Sequence, residues 1–164
     1  YKPIPVAVML IVYGILFIVV ENHNAGKKSS VTRISQLSVQ MLLWIGFFQM
    51  LALIPGTSRS GATIVGALLI GVSREVAAEF TFFLAIPVMF GASLLKIWRF
   101  GLQFSLDEAI ILIVGMVVAF VVSLIVIQFL MGYIKKHDFK VFGWYRIVLG
   151  AIVLIYGILG ATHG

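Results

Sequence analysis

Between Ala109 and Met131 run 23 consecutive residues without a charge, in which Ser123 and Gln128 are the only polar side chains. At the 1.5 Å rise of an α-helix such a run is about 35 Å long, more than the roughly 30 Å hydrocarbon core of a bilayer. A helix of a water-soluble fold needs one polar face, and this stretch has none. The rest of the chain agrees: 62% of its 164 residues are hydrophobic and 11% charged, against about 45–50% and about 25% in a soluble domain. The sequence therefore predicts an all-α integral membrane protein.

Three further segments have similar character. Ile4–Val20 begins behind Pro3 and Pro5, which are tolerated in a first turn. One positive charge precedes it and no small-residue cleavage pattern stands before Glu21, so it reads as a true span rather than a signal peptide. A start at Tyr1 without an initiator Met predicts a chain processed, truncated or cut from something longer. Ser73 can cap a helix reaching about Leu95, with Glu75 in its first turn and Pro87 as a kink. Phe142–Leu159 is the last span. Small residues spaced by four (Gly115, Ala119 and Ser123; Ala62 and Gly66; Ala67 and Gly71) predict close helix contacts.

Residues 39–70 behave differently. Val39–Ile54 is short for a crossing and stops at Pro55-Gly56; Ile64–Ile70 is shorter still and ends at Gly71. Two short apolar pieces around a polar turn predict a helix–break–helix hairpin that enters the membrane without crossing it. About four transmembrane helices plus one re-entrant hairpin follow, as a single membrane domain over 1–164.

The net charge of +6 is spread between apolar runs, where basic residues set topology and contact anionic membrane lipids. Basic–aromatic interleaving of the RNA-binding kind is absent, which sets nucleic acid aside. With the 135–140 turn inside, the inner face carries Lys27, Lys28, Arg33, Arg74, Lys135, Lys136 and Lys140. The outer face carries Lys2, Lys96 and Arg99. A full crossing by 39–70 would move Lys27, Lys28 and Arg33 outside.

Chemistry concentrates at Pro55-Gly56-Thr57-Ser58-Arg59-Ser60-Gly61-Ala62-Thr63. An arginine inside an apolar hairpin needs a counter-charge, water or an anionic ligand. A helix starting near Ser60 would aim free N–H groups at the tip, and Arg59 adds a planar charged fork that matches phosphate oxygens. Ser58, Ser60 and Thr63 add hydroxyls, while Gly56 and Gly61 let backbone approach a ligand. The segment reads as a phosphate cradle; the plain alternative is a loop in which Ser58 is an ordinary N-cap. Cysteine is absent, so no thiolate nucleophile or Cys-based metal site exists.

The stretch Gln49–Ile64 resembles the second signature of the undecaprenyl-diphosphate phosphatase (bacitracin-resistance) family. Gly71-Val72-Ser73-Arg74, Ala77-Ala78-Glu79-Phe80 and Leu84-Ala85-Ile86-Pro87 resemble its next helix, and Tyr145-Arg146 its last span. The resemblance covers the C-terminal half. It implies one half of an inverted-repeat membrane enzyme, in the bacterial inner membrane, with a site opening toward the outer face. Its reaction would be hydrolysis of undecaprenyl diphosphate to the monophosphate, which recycles the lipid carrier of peptidoglycan synthesis. It assigns Ser58, Arg59, Ser60 and Thr63 to the catalytic phosphate site, with Gly56, Gly61, Gln49 and Arg146 as substrate contacts and Glu79 behind them. A divalent cation, magnesium or calcium, is implied, with ligands mostly outside this chain. The family's Glu-rich run followed by Ser-Ser-Thr-Gly-His has no counterpart here, so an N-terminal half is the implied partner. The polyprenyl diphosphate lipid is the other, and a homo-oligomer stays open.

Bland readings stand beside these. Glu79 shares a helix face with Glu75, and both can pair with Arg74. Arg146 can snorkel to the inner interface; Gln49 can bond a neighbouring helix. His23 and His137 read as solvated loop residues, with His163 at the end. Two rival functions are half of a small-anion or lipid transporter or flippase and a non-catalytic assembly subunit.

Overall fold

The structure, a computed structural model, describes residues 3–101 and 104–162, of which 100 and 160–162 by backbone alone. Lys2 of the charge count and His163 of the histidine count lie outside the described residues. Six α-helices follow in order: α1 (Pro3–Asn24), α2 (Val39–Met50), α3 (Arg59–Leu69), α4 (Arg74–Phe100), α5 (Leu106–Lys136) and α6 (Lys140–Thr162). Single 3-10 turns stand at Ile34–Gln36 and Leu51–Leu53. Four helices, α1, α4, α5 and α6, are long and apolar enough to cross a membrane. This is a multi-pass membrane protein. Among the described residues no β-strand forms; Val31 and Val72 share one isolated parallel bridge.

Each long helix extends past its sequence-predicted limits. Hydropathy marks where a chain is apolar, whereas a helix ends where capping and packing end it. Thus α1 continues through Glu21 to Asn24, and α4 runs through Pro87 to Phe100. Ser73 accepts from the Val76 amide at 3.3 Å and starts α4 as its sequence predicts. At the start of α5 the Ser105 hydroxyl accepts from the Glu108 amide at 3.3 Å, and Glu108 Oε2 accepts from the Ser105 amide at 2.9 Å. That reciprocal capping box is written in the sequence as Ser-Leu-Asp-Glu.

The chain forms two compact units: Tyr1–Thr81 with His137–Gly164, and Phe82–Lys136. In the second unit α5 is exposed almost throughout. A Cβ added at Gly115 would meet nothing within 4 Å, and Ala119 and Ser123 are exposed. The close contact expected along that stripe is therefore absent among the described residues.

In the first unit α1 and α6 run antiparallel in close contact. A Cβ on Gly14 would fall 2.7 Å from the Gly143 carbonyl oxygen, and one on Gly143 equally close to that of Gly14. Gly150 meets the Ala7 carbonyl and Ile11, and Gly157 meets Pro3 and Ile4. Three glycines seven residues apart thus form one seam that brings two backbones together, which side chains would prevent.

Helices α2 and α3 pack on each other as a hairpin beside α1. At the 1.5 Å rise per residue they are about 18 Å and about 16 Å long, each short of a bilayer. Gly66 faces Phe48, whose Cβ would be 2.6 Å from an added Cβ, so the small-residue contact expected there is present. Gly71 instead ends α3 with a φ of 84°, a left-handed conformation, rather than packing a helix face. Both ends of the hairpin meet at the same end of α1. The Ser30 amide donates to the Gly71 carbonyl at 3.0 Å, the Ser73 amide to Val31 at 2.9 Å, and Asn24 Nδ2 to the Leu68 carbonyl at 2.9 Å. The tip lies toward the other end of α1, where Gly56, at φ 92°, would put a Cβ 2.7 Å from Val6.

A buried carboxylate fixes the end where the hairpin starts and finishes. Glu21 is 2% exposed. It accepts from Arg74 Nε at 3.0 and 2.9 Å and from Arg74 Nη2 at 2.6 Å, and its Oε1 also accepts from the Phe139 amide at 3.1 Å. The ends of α1, α4 and α6 are thereby tied together. The partner of Arg74 is Glu21 and not Glu75 or Glu79, both of which are exposed.

Candidate functional site

The tip of the hairpin is built by a serine cap. Ser58 is extended, its hydroxyl accepts from the Gly61 amide at 3.1 Å, and its carbonyl accepts from the Ala62 amide at 2.9 Å. This starts α3 at Arg59, one residue ahead of the start expected near Ser60. The N-cap reading of Ser58 is met, and the cap is what orients the helix end. The Ser58 and Ser60 hydroxyls are 3.0 Å apart. The first amides of α3 point out of its N-terminus without intrahelical acceptors, at the positive end of the helix dipole.

Arg146 reaches this place from α6. An added Cβ on Gly61 would lie 3.2 Å from Arg146 Nη2 and 3.4 Å from its Cζ. The guanidinium therefore packs against the glycine beside Ser58, and a side chain at 61 would crowd it. Its Nη1 is buried and has no hydrogen-bond partner among the described residues, and the same is true of the Thr57 hydroxyl. The Arg146 Cζ stands 5.6 Å over the centroid of the Phe17 ring. Arg59 is half-buried at the helix start. Neither arginine has a carboxylate partner among the described residues. The Arg146 guanidinium and the Ser58 and Ser60 hydroxyls thus meet at the N-terminus of α3, which Arg59 begins, with no balancing carboxylate among the described residues. Such an arrangement fits a phosphate or diphosphate group.

The sequence also matches the family described as Bacitracin resistance protein BacA, across residues 1–152. The chain belongs to that family. It is 65% identical over 159 residues to an undecaprenyl-diphosphatase of Lachnoclostridium phytofermentans, covering 97% of this chain and 58% of the relative. A protein of the same name from Desulfitobacterium hafniense is 68% identical over 152 residues, 92% of this chain and 55% of that one. Another, from Enterococcus faecalis, is 61% identical over 155 residues, 94% and 56% respectively. The chain spans somewhat over half the length of the curated relatives it matches.

The other residues singled out in the sequence have varied positions. Thr63 is wholly buried, its hydroxyl 2.8 Å from the Arg59 carbonyl and 3.3 Å from Gln49 Oε1. Its single proton is taken up inside the hairpin, where it holds α2 and α3 together, and Gln49 bonds a neighbouring helix as its plain reading has it. Gly56 makes the turn. Glu79 has no hydrogen bond or ion pair among the described residues. His23 is exposed, with Nε2 2.9 Å from Lys27 Nζ, and His137 is exposed in its turn. Among the described residues no three His, Asp or Glu side chains gather as a metal site. Sequence reasoning missed Glu21, Tyr13 and Phe17. The last two are 3% exposed on α1 beside Arg146, with the Tyr13 phenol in electrostatic range of the guanidinium. A tyrosine and a phenylalanine in an apolar run gave no signal.

Proposed function

We propose that this chain is the phosphate-binding half of an enzyme that hydrolyses undecaprenyl diphosphate to undecaprenyl phosphate and inorganic phosphate. The observation that carries the reading is the Arg146 guanidinium on Gly61, beside the Ser58-Arg59-Ser60 cap, with a buried donor left unpaired. The names of the relatives give the substrate class. Within the site, Arg59 and Arg146 hold the diphosphate oxygens, Ser58, Ser60 and the first amides of α3 donate to them, and Gly56 and Gly61 keep the approach open. Thr63 and Gln49 hold the hairpin in shape.

The hairpin is re-entrant in the membrane. The bonds from Ser30, Val31 and Asn24 to residues 68–73 support this, because they bring its entry and exit to one end. That end carries Lys27, Lys28, Arg33 and Lys140, so it faces the cytoplasm of a bacterial inner membrane and the tip opens toward the outer face. The architecture is one half of an inverted repeat.

The chain alone is inactive. Ser58 Oγ has Ser60 and the Gly61 amide as partners, and a serine nucleophile needs an adjacent base. The N-terminal half supplies the acidic and histidine groups, and the ligands of a magnesium or calcium ion lie there. Phosphate release by the purified chain in detergent, with either ion present, should be nil and should appear on co-expression with that half. Arg59→Lys in the reconstituted pair keeps the charge but loses the fork. One charge-assisted contact is about 1.5–3 kcal/mol, so turnover at low substrate should fall about 10- to 100-fold. Unchanged kinetics would remove Arg59 from the site, and turnover by the chain alone that vanishes in Ser58→Ala would overturn the half-site reading.

A further inference from the structure

Arg146 is long and flexible and has no carboxylate partner among the described residues, yet its guanidinium packs at one defined place, against Gly61. We propose that Phe17 is a positioning residue that aims Arg146 at the phosphate site. The inference rests on the function proposed above and adds how the arginine is held.

The ring is suited to the task by what surrounds it. Phe17 is 3% exposed on α1, and the Arg146 Cζ is 5.6 Å above its centroid. It also meets the Phe139 ring, 5.8 Å away and tilted by 38°. Phe139 is 3% exposed, and its amide is bonded to Glu21 at 3.1 Å. Phe17 is thus backed by a residue whose own backbone is pinned. The α1–α6 seam, with Gly14 on Gly143, keeps the two helices at a fixed separation.

A ring serves this arginine better than an acid would. A carboxylate would orient the fork by taking two of its N–H donors and cancelling its charge, and both would then be lost to an anionic substrate. An aromatic face attracts the cation through its quadrupole and leaves every N–H free. The unpaired buried Nη1 is a donor held in reserve in this way. An arginine side chain carries about 2 kcal/mol of rotamer entropy, and a fixed aromatic face removes part of that cost before substrate arrives.

The test uses the chain joined with its N-terminal half, and compares Phe17→Leu, Phe17→Tyr and Arg146→Ala. Phe17→Leu removes the π face, and Phe17→Tyr retains it. With undecaprenyl diphosphate as substrate, Phe17→Leu should raise KM about 3- to 30-fold, the range of a partly desolvated cation–π contact. Its kcat should change by less than about 3-fold, and Phe17→Tyr should return KM to near the wild-type value. Arg146→Ala should raise KM at least as much. Should Phe17→Leu not accumulate in membranes, Phe17→Met makes the same comparison. A wild-type KM for Phe17→Leu beside a strongly impaired Arg146→Ala would overturn the positioning role and leave the phosphate reading standing. Equal impairment by Leu and Tyr would show a packing role only and overturn it as well. Wild-type kinetics for Arg146→Ala would overturn both readings.

Discussion

Consider Glu21 changed to glutamine and, separately, to methionine. Both replacements are close to glutamate in volume, so neither leaves a large cavity. Glutamine loses the negative charge facing Arg74 but keeps an oxygen for the Phe139 amide. The ion pair is asymmetric: the Glu21 side chain is 1% exposed and that of Arg74 41%. An exposed pair contributes about 0–1 kcal/mol, and breaking a fully buried one costs about 3–5 kcal/mol. The half-wet guanidinium can turn to water once its partner is gone, so Glu21→Gln should cost about 1–2 kcal/mol, between those limits. Methionine removes the acceptor as well and strands a buried amide, which adds about 1–3 kcal/mol. Equilibrium unfolding of the purified chain in mixed micelles, followed by far-ultraviolet circular dichroism, measures both. The expected order is wild type, then Gln, then Met. A Met variant no weaker than the Gln variant would show that the Phe139 amide gains nothing from Glu21, and two variants within about 0.5 kcal/mol of wild type would remove the three-way tie altogether.

Gly143→Ala should destabilise the same unit by about 1–3 kcal/mol in that titration, because its Cβ meets the backbone of Gly14, which cannot yield. Gly115→Ala, with nothing within 4 Å, should be silent in this chain. Ser105→Ala should cost about 1 kcal/mol of local stability, read as faster amide exchange at the start of α5 and no change at the start of α4. Cysteines at Ser30 and His137 should label from the cytoplasmic side and one at Gln103 from the outside; Ser30 and Gln103 on one side would end the re-entrant hairpin.

Much of this architecture was legible because lipid imposes simple length rules. The run 109–131 could be little other than a span, and Pro55-Gly56 between two short apolar runs announced the hairpin. Ser58 was legible as a cap and as part of the cradle, and it is in fact a cap. Reading failed where a residue's meaning depends on a partner far along the chain. Glu21 looked like the first residue of a loop, because nothing local reveals that Arg74 and the Phe139 amide come to meet it. Arg146 carried two readings, a snorkelling side chain and a contact with the hairpin, and nothing local chose between them because its neighbour Gly61 is distant in sequence. The glycines at 143, 150 and 157 recur every seven residues, a signal that a search at a spacing of four passes over. The stripe at 115, 119 and 123 shows the converse: the pattern is present, but its contact is not among the described residues.

The pairing of α1 with α6 has a consequence for how the protein is made. The four intervening helices separate the two in sequence, so α1 enters the bilayer long before α6 exists. At about 5–20 residues per second, the start of α6 follows the end of α1 by roughly 6–25 s. Through that interval Gly14 faces lipid, and Glu21 waits for Arg74 and then for Phe139. Closure of the seam waits for α6. Only then does Arg146 arrive beside Gly61, so the candidate site comes together when α6 is inserted and not before.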